Sequence, residues 1–340
     1  MESAAVSQRR YAQIEDHLAA PAAVEFFSDR LTRSAGLCFR QCDGAMHFSA
    51  RSEHIGYNYV GMPTPSEYEV TRLLDTDTVA LRNVRCSGTC RHRSVEECVS
   101  TTHLVFPYRG VYLRHVGDDQ AVADANQILF FNADEGYQVS HPMAGGDASL
   151  SLALSEPILR ELAPKSLLNG REAIGFRRQH LRIDHRAQAL VAVLRHCLEN
   201  GTIEPLEAEG LVLTLVCRSL GPRTSHGSVA TRSRRRLADR VKLLLASDLS
   251  RRWSLAEIAA EIRGSPVYLT QVFQQTEGIP LYRYHLRLRL ARALDLIAQY
   301  DDLSTLAADL GFSSHSHFAA AFRQAYGRSP TAFKQSAQRS

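Results

Sequence analysis

Three thiols and an imidazole crowd 13 residues of this chain, Cys86-Ser-Gly-Thr-Cys90-Arg-His92-Arg-Ser-Val-Glu-Glu-Cys98. Zn(II) favours thiolate and imidazole in tetrahedral sets. Cys86, Cys90, His92 and Cys98 are therefore candidate ligands of one thiophilic ion, with Zn(II) on Cys86, Cys90 and Cys98 as the cofactor to test for. The spacing is not that of a C-x-x-C knuckle. Arg82, Arg85, Arg91 and Arg93 flank the cluster. Positive neighbours lower thiol pKa values, which makes a redox- or electrophile-sensing thiol a second reading. Inert, buried cysteines are a third. Cys38 and Cys42, with His47 and His54 downstream, form a sparser set, while Cys197 and Cys217 fall in apolar helical stripes and read as packing. His103, Arg114 and His141 sit in or beside strand-like runs, where they would line a cavity for a small effector. Isolated histidines on strands also serve simply as hydrogen-bonding groups.

The elements that must hold these residues belong to a chain of 340 residues, 44% of them apolar. One core seldom serves more than ~250 residues, so two or three domains are expected. No run approaches the ~20 apolar residues of a bilayer span, and acids stand where a signal peptide would need its apolar stretch. The expectation is a soluble, cytoplasmic protein with no membrane partner. Seven cysteines, an odd number, suit reduced thiols or metal ligands better than a secreted disulfide framework.

The net charge of +4 hides a division: 17 lysines and arginines stand against 9 acids from Arg232 onward, and 23 against 27 before it. A basic carboxyl-terminal third beside an acidic remainder fits a chain of which one part meets a polyanion, because phosphate contacts supply most non-specific nucleic-acid affinity.

Residues 1–66 give no firm periodicity apart from an amphipathic stretch, Tyr11–Arg33, and are set apart as an appendage. Over 67–178, short apolar runs such as HLVFPYRGVYLRHV, ANQILFF and ASLSLAL alternate with Gly, Asn, Asp and Pro, the pattern of an antiparallel sandwich or barrel. Residues 179–220 hold two helical patterns, His180–Asn200 and Pro205–Leu220, a hairpin whose apolar faces would serve dimerisation or cover the barrel. Residues 221–234 read as a linker, and 235–338 as a helical domain.

That last domain contains a duplication. Ser254-LAEIAAEIRGSPVYLTQVFQQTEG and Ser304-TLAADLGFSSHSHFAAAFRQAYG repeat one pattern, with Phe273 to Phe322 and Gly278 to Gly327 both 49 apart. Each copy has a short helix opened by a serine, a turn around Gly264 or Gly311, and a second helix closed by a phenylalanine. This is helix-turn-helix logic, twice. Leu281–Gln299, with Leu286, Leu290, Ala293, Leu294 and Ile297 as its buried stripe, would hold the two units apart.

Ser-Pro-x-Tyr-Leu-x-x-x-Phe at Ser265–Phe273, Arg-Leu-x-x-Ala at Arg289–Ala293, Gly-Phe-Ser at Gly311–Ser313, His-Phe-x-x-x-Phe at His317–Phe322 and Gly327-Arg-Ser-Pro330 appear in this order. Together they resemble the DNA-binding domain of AraC/XylS-type transcription regulators over about 105 residues. The resemblance implies an α+β, multidomain chain. Its amino-terminal part would be an antiparallel β jelly-roll, cupin-like sensor with a helical hairpin, and its carboxyl-terminal part an all-α domain with two helix-turn-helix units. The implied partners are double-stranded promoter DNA, a second copy in a homodimer, a small effector and, for an activator, RNA polymerase.

The resemblance places recognition helices along Pro266–Gln275 and Ser314–Gln324. On the first, Thr270, Gln271 and Gln274 are the polar readers, glutamine being able to pair twice with adenine, and Val267 could meet a thymine methyl. On the second they are His315, Ser316 and Arg323. Ala319 and Ala320 depart from the larger polar groups common there. Ser254, Ser304 and Ser314 would offer helix starts to phosphates, and Arg251, Arg252, Arg287 and Arg328 charge. Tyr268 and His317 read as packing residues.

No catalytic residue is implied. A metal-dependent cupin-type enzyme would need clustered His and carboxylate ligands, yet His-x-His occurs here only as His315-Ser316-His317. A methyl-accepting DNA-repair regulator, the other alternative, is opposed by the absence of any C-x-x-C.

Overall fold

The computed structural model describes residues 68–89, 91–170, 174–221 and 230–338. The expectations for residues 1–66, for Cys90 and for most of the linker lie outside them.

Six strands form one antiparallel sheet in the order β1 (Tyr68–Asp75), β2 (Val79–Cys86), β8 (Asp147–Leu154), β3 (His103–Arg109), β6 (Gln127–Phe131), β9 (His180–Arg182). Three more, β5 (Asp119–Ala123), β4 (Tyr112–Val116) and β7 (Gln138–Ser140), form a second. Side chains alternate between the faces of a strand, and β8 shows the result. Ala148, Leu150, Leu152 and Leu154 join Leu81, Leu104, Phe106 and Phe130 in the main core. The intervening Asp147, Ser149 and Ser151 lie on the opposite face of the strand, the face on which Val105, Leu129 and Phe131 meet Tyr112 of the smaller sheet.

Helices α1 (Glu156–Leu162), α2 (His185–Glu199) and α3 (Pro205–Leu220) cover the main core. Their apolar stripes, among them Val191, Leu194, Val212 and Leu215, are spent on the sheet. The hairpin faces offered for dimerisation are thus barrel cover. The first helical pattern also begins later than the sequence suggests. Residues 180–182 pair with β6 as a strand, and α2 starts only after Asp184, whose carboxylate accepts from Ala187 N–H. The linker reading is shortened likewise: α4 (Arg232–Ser247) already contains the four clustered arginines. Arginine is a good helix former when its head stays in water.

The carboxyl-terminal part continues with α5 (Leu255–Ile262), α6 (Pro266–Glu277), α7 (Leu281–Leu296), α8 (Leu303–Asp309), α9 (His315–Tyr326) and α10 (Pro330–Gln338). Helix α7 is buried from two sides. Tyr284 and Leu288 enter a core with α4, α5 and α6. Leu290, Ala293, Leu294 and the following Ile297 enter another with α8, α9 and α10, to which α2 adds Ala192.

The two halves are also joined by charge. Asp295 of α7 accepts from Arg109 of β3 at 2.9 Å and pairs with Arg195 of α2 at 3.0 Å and with Arg292. Lys242 of α4, fully buried, pairs with Glu277 at 2.6 Å and Asp239 at 3.5 Å. The Tyr284 hydroxyl donates to Asp124.

Four histidines are held neutral by burial. His103, His180, His185 and His285 are each pushed down to about 4, desolvation being the largest cause. A histidine with a depressed folded pKa binds fewer protons folded than unfolded. The stability it contributes is therefore complete above its ordinary value of 6.5 and is lost as pH falls toward 4. Asp124, pushed up to about 6 by burial, opposes this, as do Glu97 and Asp239, also raised by burial, while His115 and His196, lowered by burial, add to the histidines' side. The thermal midpoint should fall between neutral pH and about pH 4.5, with proton uptake on unfolding. A midpoint that holds or rises over that interval would contradict the burial assigned to these rings.

Candidate nucleic-acid interface

Each helix-turn-helix unit is built around a buried phenylalanine that fixes its second helix. In α6, Leu269, Val272 and Phe273 face the core; in α9, Phe318 and Phe322 do. Gly278 and Gly327 end the two helices as equivalent left-handed caps. The turns between paired helices are not equivalent. In the first unit the left-handed residue is Arg263, at φ 57°, rather than the expected Gly264. In the second it is Gly311, where a Cβ would lie 2.0 Å from the Ser250 carbonyl oxygen. Only glycine permits that approach.

Arg289 of α7 locks the units together. Its guanidinium donates to the Leu249 and Arg251 carbonyls at 2.6 and 2.8 Å, and to Gly311 of the second turn at 3.2 Å. Arg252 adds a bond to the Phe312 carbonyl at 3.2 Å. Sequence reasoning assigned Arg252 to phosphate and saw Arg289 only as part of a motif. Arginine's fork of donors suits a knot of backbone carbonyls, but nothing local in the sequence announces one.

With the cores satisfied, the polar faces of both second helices are left in water. Val267 is 66% exposed, and Gln271, Gln274, His315, Ser316 and Arg323 are exposed beside it or on α9. Thr270 is half-buried, its hydroxyl donating back to the Pro266 carbonyl at 2.9 Å. Tyr268, expected to pack, is 48% exposed on the same helix. His317 is exposed yet braced, its ring 5.6 Å from that of Phe312 and bonded to Ser313.

The three serines differ. Ser314 caps α9 by accepting from His317 N–H at 3.1 Å, with no acid in the first turn. This leaves a helix start suited to an anion. Ser254 is locked in a capping box with Glu257, whose carboxylate accepts the Ser254 amide at 2.8 Å. The hydrogen bond from Arg251, then those from Ser254, push Glu257 down to about 2, so a negative charge already holds that position. Ser304 is not a cap. Asp302 is, accepting from Ser304 and Thr305 amides, and its charge disfavours a phosphate. Arg287 is also misplaced by the sequence reading. It is half-buried, and its charged state is disfavoured first by burial and supported by Asp184, on the side facing the amino-terminal half.

Among the described residues, Cys86, His92 and Cys98 do not gather as one group of ligand atoms, and Cys90 lies outside those residues. Antiparallel pairing of β2 with β8 sets Cys86 opposite Asp147. Among the described residues, the group with ligand atoms all within 4.8 Å is Cys86, His141 and Asp147. His92 and Cys98 lie exposed on the following loop, whose pairing runs through Glu97 to Tyr137 and Val99 to Ala133. The three effector candidates sit in separate networks. His103 bonds Ser151 at 3.0 Å. Arg114, wholly buried, pairs with Glu135 at 3.2 Å and lies 4.3 Å over Phe131. His141 donates to Asp147 at 2.7 Å.

Residues 258–336 match a family described as "Helix-turn-helix domain". The regulatory protein PocR of Salmonella typhimurium is 33% identical over 82 residues, 24% of this chain and 27% of PocR. The chain thus covers about a quarter of that relative's length. The HTH-type transcriptional regulator GadX of Escherichia coli is 27% identical over 234 residues, 68% of this chain and 82% of GadX. The carboxyl-terminal third of the chain is therefore similar to the helix-turn-helix domain of AraC/XylS-type regulators. A solved transcriptional regulator of Chromobacterium violaceum, titled as having an AraC-type DNA-binding domain, is 24% identical with a TM-score of 0.30, covering 32% of this chain and 96% of its own.

In this AraC/XylS-type domain, Gln271→Ala should cost ~1–3 kcal/mol of binding and relax base preference at one operator position. Arg287→Ala should leave the salt dependence of DNA binding unchanged, because its guanidinium is not on the reading face. Fluorescence anisotropy across an operator series and a salt series measures both. A shallower salt slope in the Arg287 variant would place that residue on phosphate after all.

Proposed function

We propose that this chain is an effector-responsive, sequence-specific transcription regulator acting in the cytoplasm, whose two recognition helices enter successive major grooves on one face of promoter DNA. The observation that carries this reading is the exposure of both polar faces on units locked to each other through α7 and Arg289. Major-groove centres on one face lie ~34 Å, or ~10 bp, apart. A fixed pair of readers converts that geometry into two half-sites of set spacing. The basic charge of this third supplies non-specific affinity.

Signalling from the sensor half would run through the Asp295 knot, since α7 is the helix both readers share. The effector would be anionic and would reach Arg114 between the sheets. Arg114 is a fully buried cation whose Nε has no hydrogen-bond partner, and such a group gains much from a further acceptor. The cavity beneath α7, lined by Tyr108, Gln188, Arg195 and Asp295, is about 20 Å³, room for little more than a water. A homodimer would pair through the outward face of α3. There Leu206 is 76% exposed and Gly210, one turn on, is exposed as well. At promoters the dimer activates, RNA polymerase would be a further partner. Among the described residues no helix is long and apolar enough to cross a membrane.

Selection of the full chain on random duplex DNA should enrich two short boxes whose centres lie ~10 bp apart. A single box, or no enriched sequence, would overturn the reading. Arg109→Ala removes one donor from Asp295 without touching the DNA face. It should lower stability by about 1–3 kcal/mol in denaturant unfolding, as expected when a charged hydrogen bond is lost. Its affinity for non-specific DNA should match that of the parent.

A further inference from the structure

We propose that Cys86, His141 and Asp147 bind one thiophilic divalent cation, Zn(II) by the chemistry of the donors. The site is independent of the DNA-binding reading. It is also distinct from the set of close-spaced cysteines, since only Cys86 is shared with it.

The three ligand atoms lie within 4.8 Å of one another. Ligands of a tetrahedral zinc ion at ~2.0–2.3 Å sit about 3.5 Å apart, so closure needs a shift of about an ångström in side chains alone. His141 Nε2 already donates to Asp147 Oδ2 at 2.7 Å, and both residues are buried. A cation seated among the three would take the place of that proton. It would also balance the charge of the Asp147 carboxylate and of the thiolate that Cys86 becomes on binding it. The other ring nitrogen, Nδ1, is buried with no hydrogen-bond partner, so the imidazole is not committed to a structural bond on its far side.

The surrounding backbone is built for close quarters. Gly88 N–H donates to Cys86 Sγ at 3.4 Å, fixing the direction of the sulfur. A Cβ on Gly146 would lie 2.3 Å from the Cys86 carbonyl oxygen. Glycine alone allows the loop carrying Asp147 to press against the end of β2. The ring of Tyr112 closes the inner side, 6.1 Å from that of His141. With three protein ligands, the fourth position is left to solvent or to an exogenous donor, as in open zinc sites. The Asp147 loop also touches Gly110, where a Cβ would lie 2.0 Å from the Gly146 carbonyl oxygen. Gly110 follows Arg109, the residue that holds Asp295.

Co(II) titration of the reduced, metal-free full chain tests the site, because cobalt in a thiolate site shows a ligand-to-metal charge-transfer band. The band should saturate at about one equivalent and disappear on addition of Zn(II). Cys86→Ser should lose it, His141→Asn should weaken cobalt binding at least tenfold, and Cys98→Ser should keep it unchanged. Absence of a saturable band in the parent chain would overturn the proposal without recourse to any variant. So would a band that survives Cys86→Ser, or one that Cys98→Ser removes. Far-UV circular dichroism and DNA binding of each variant identify any that fail to fold.

Discussion

The fixed relation between the two helix-turn-helix units rests on one guanidinium. Arg289 reaches from α7 to the carbonyls of Leu249, Arg251 and Gly311, which belong to the connection before the first unit and to the turn of the second. Each unit by itself has a small core, built on Phe273 in the first and on Phe312, Phe318, Phe322 and Phe333 in the second. Small cores tolerate rocking, and a reader that rocks cannot select a spacing. The carbonyls gathered around Arg289 would be left without a donor if it were absent, a cost comparable to losing a hydrogen bond at each. Placement of the recognition helices therefore depends on a residue that itself faces no base.

The junction between the halves follows the same logic with charge in place of carbonyls. Burial by itself would raise the pKa of Asp295. The hydrogen bond from Arg109 and the charges of Arg195 and Arg292 hold it below the ordinary carboxylate range instead. One carboxylate among three guanidiniums is stable only while all remain in place. Buried ion pairs give little net stability but strongly penalise misplacement. Such a junction favours one relative orientation of the β-sheet half and the helical half, because Arg109 of β3 and Arg195 of α2 both converge on Asp295 of α7.

Much of this was legible in the chain. The 49-residue repeat gave both units and the ends of their second helices, because a buried phenylalanine and a left-handed glycine recur at fixed offset. The alternation of ASLSLAL gave a strand, with its serines on one face. What escaped was set by partners distant in sequence. Ser304 looks like a helix cap until Asp302, two residues earlier, takes the role. Arg287 and Arg289 are two apart on the same helix, yet one turns toward Asp184 and the other toward the connection before the first unit and the turn of the second. No local pattern separates them, because helix α7 is buried on both sides and carries no clean amphipathic stripe. His180–Arg182 reads as the start of the helix whose spacing Leu190, Val191, Leu194 and Leu198 set, whereas the edge of β6 offers it pairing.

The cysteines show why spacing along the chain is a weak guide to a site in a β-domain. Within a helix or a tight turn, close neighbours in sequence are close in space, and a short cluster of ligands can meet one ion. In an antiparallel sheet, the residue opposite the end of one strand comes from the start of another, here 61 positions later, as Cys86 faces Asp147. Beyond Cys86 the chain pairs with residues 133–139 instead, through Ser94 to Val139, Glu97 to Tyr137 and Val99 to Ala133. The flanking arginines seen in the sequence do not decide the chemistry of Cys86. The Asp147 carboxylate across the ladder and the His141 imidazole beside it do, and the tightness of the glycine contact between the two loops keeps all three facing one point.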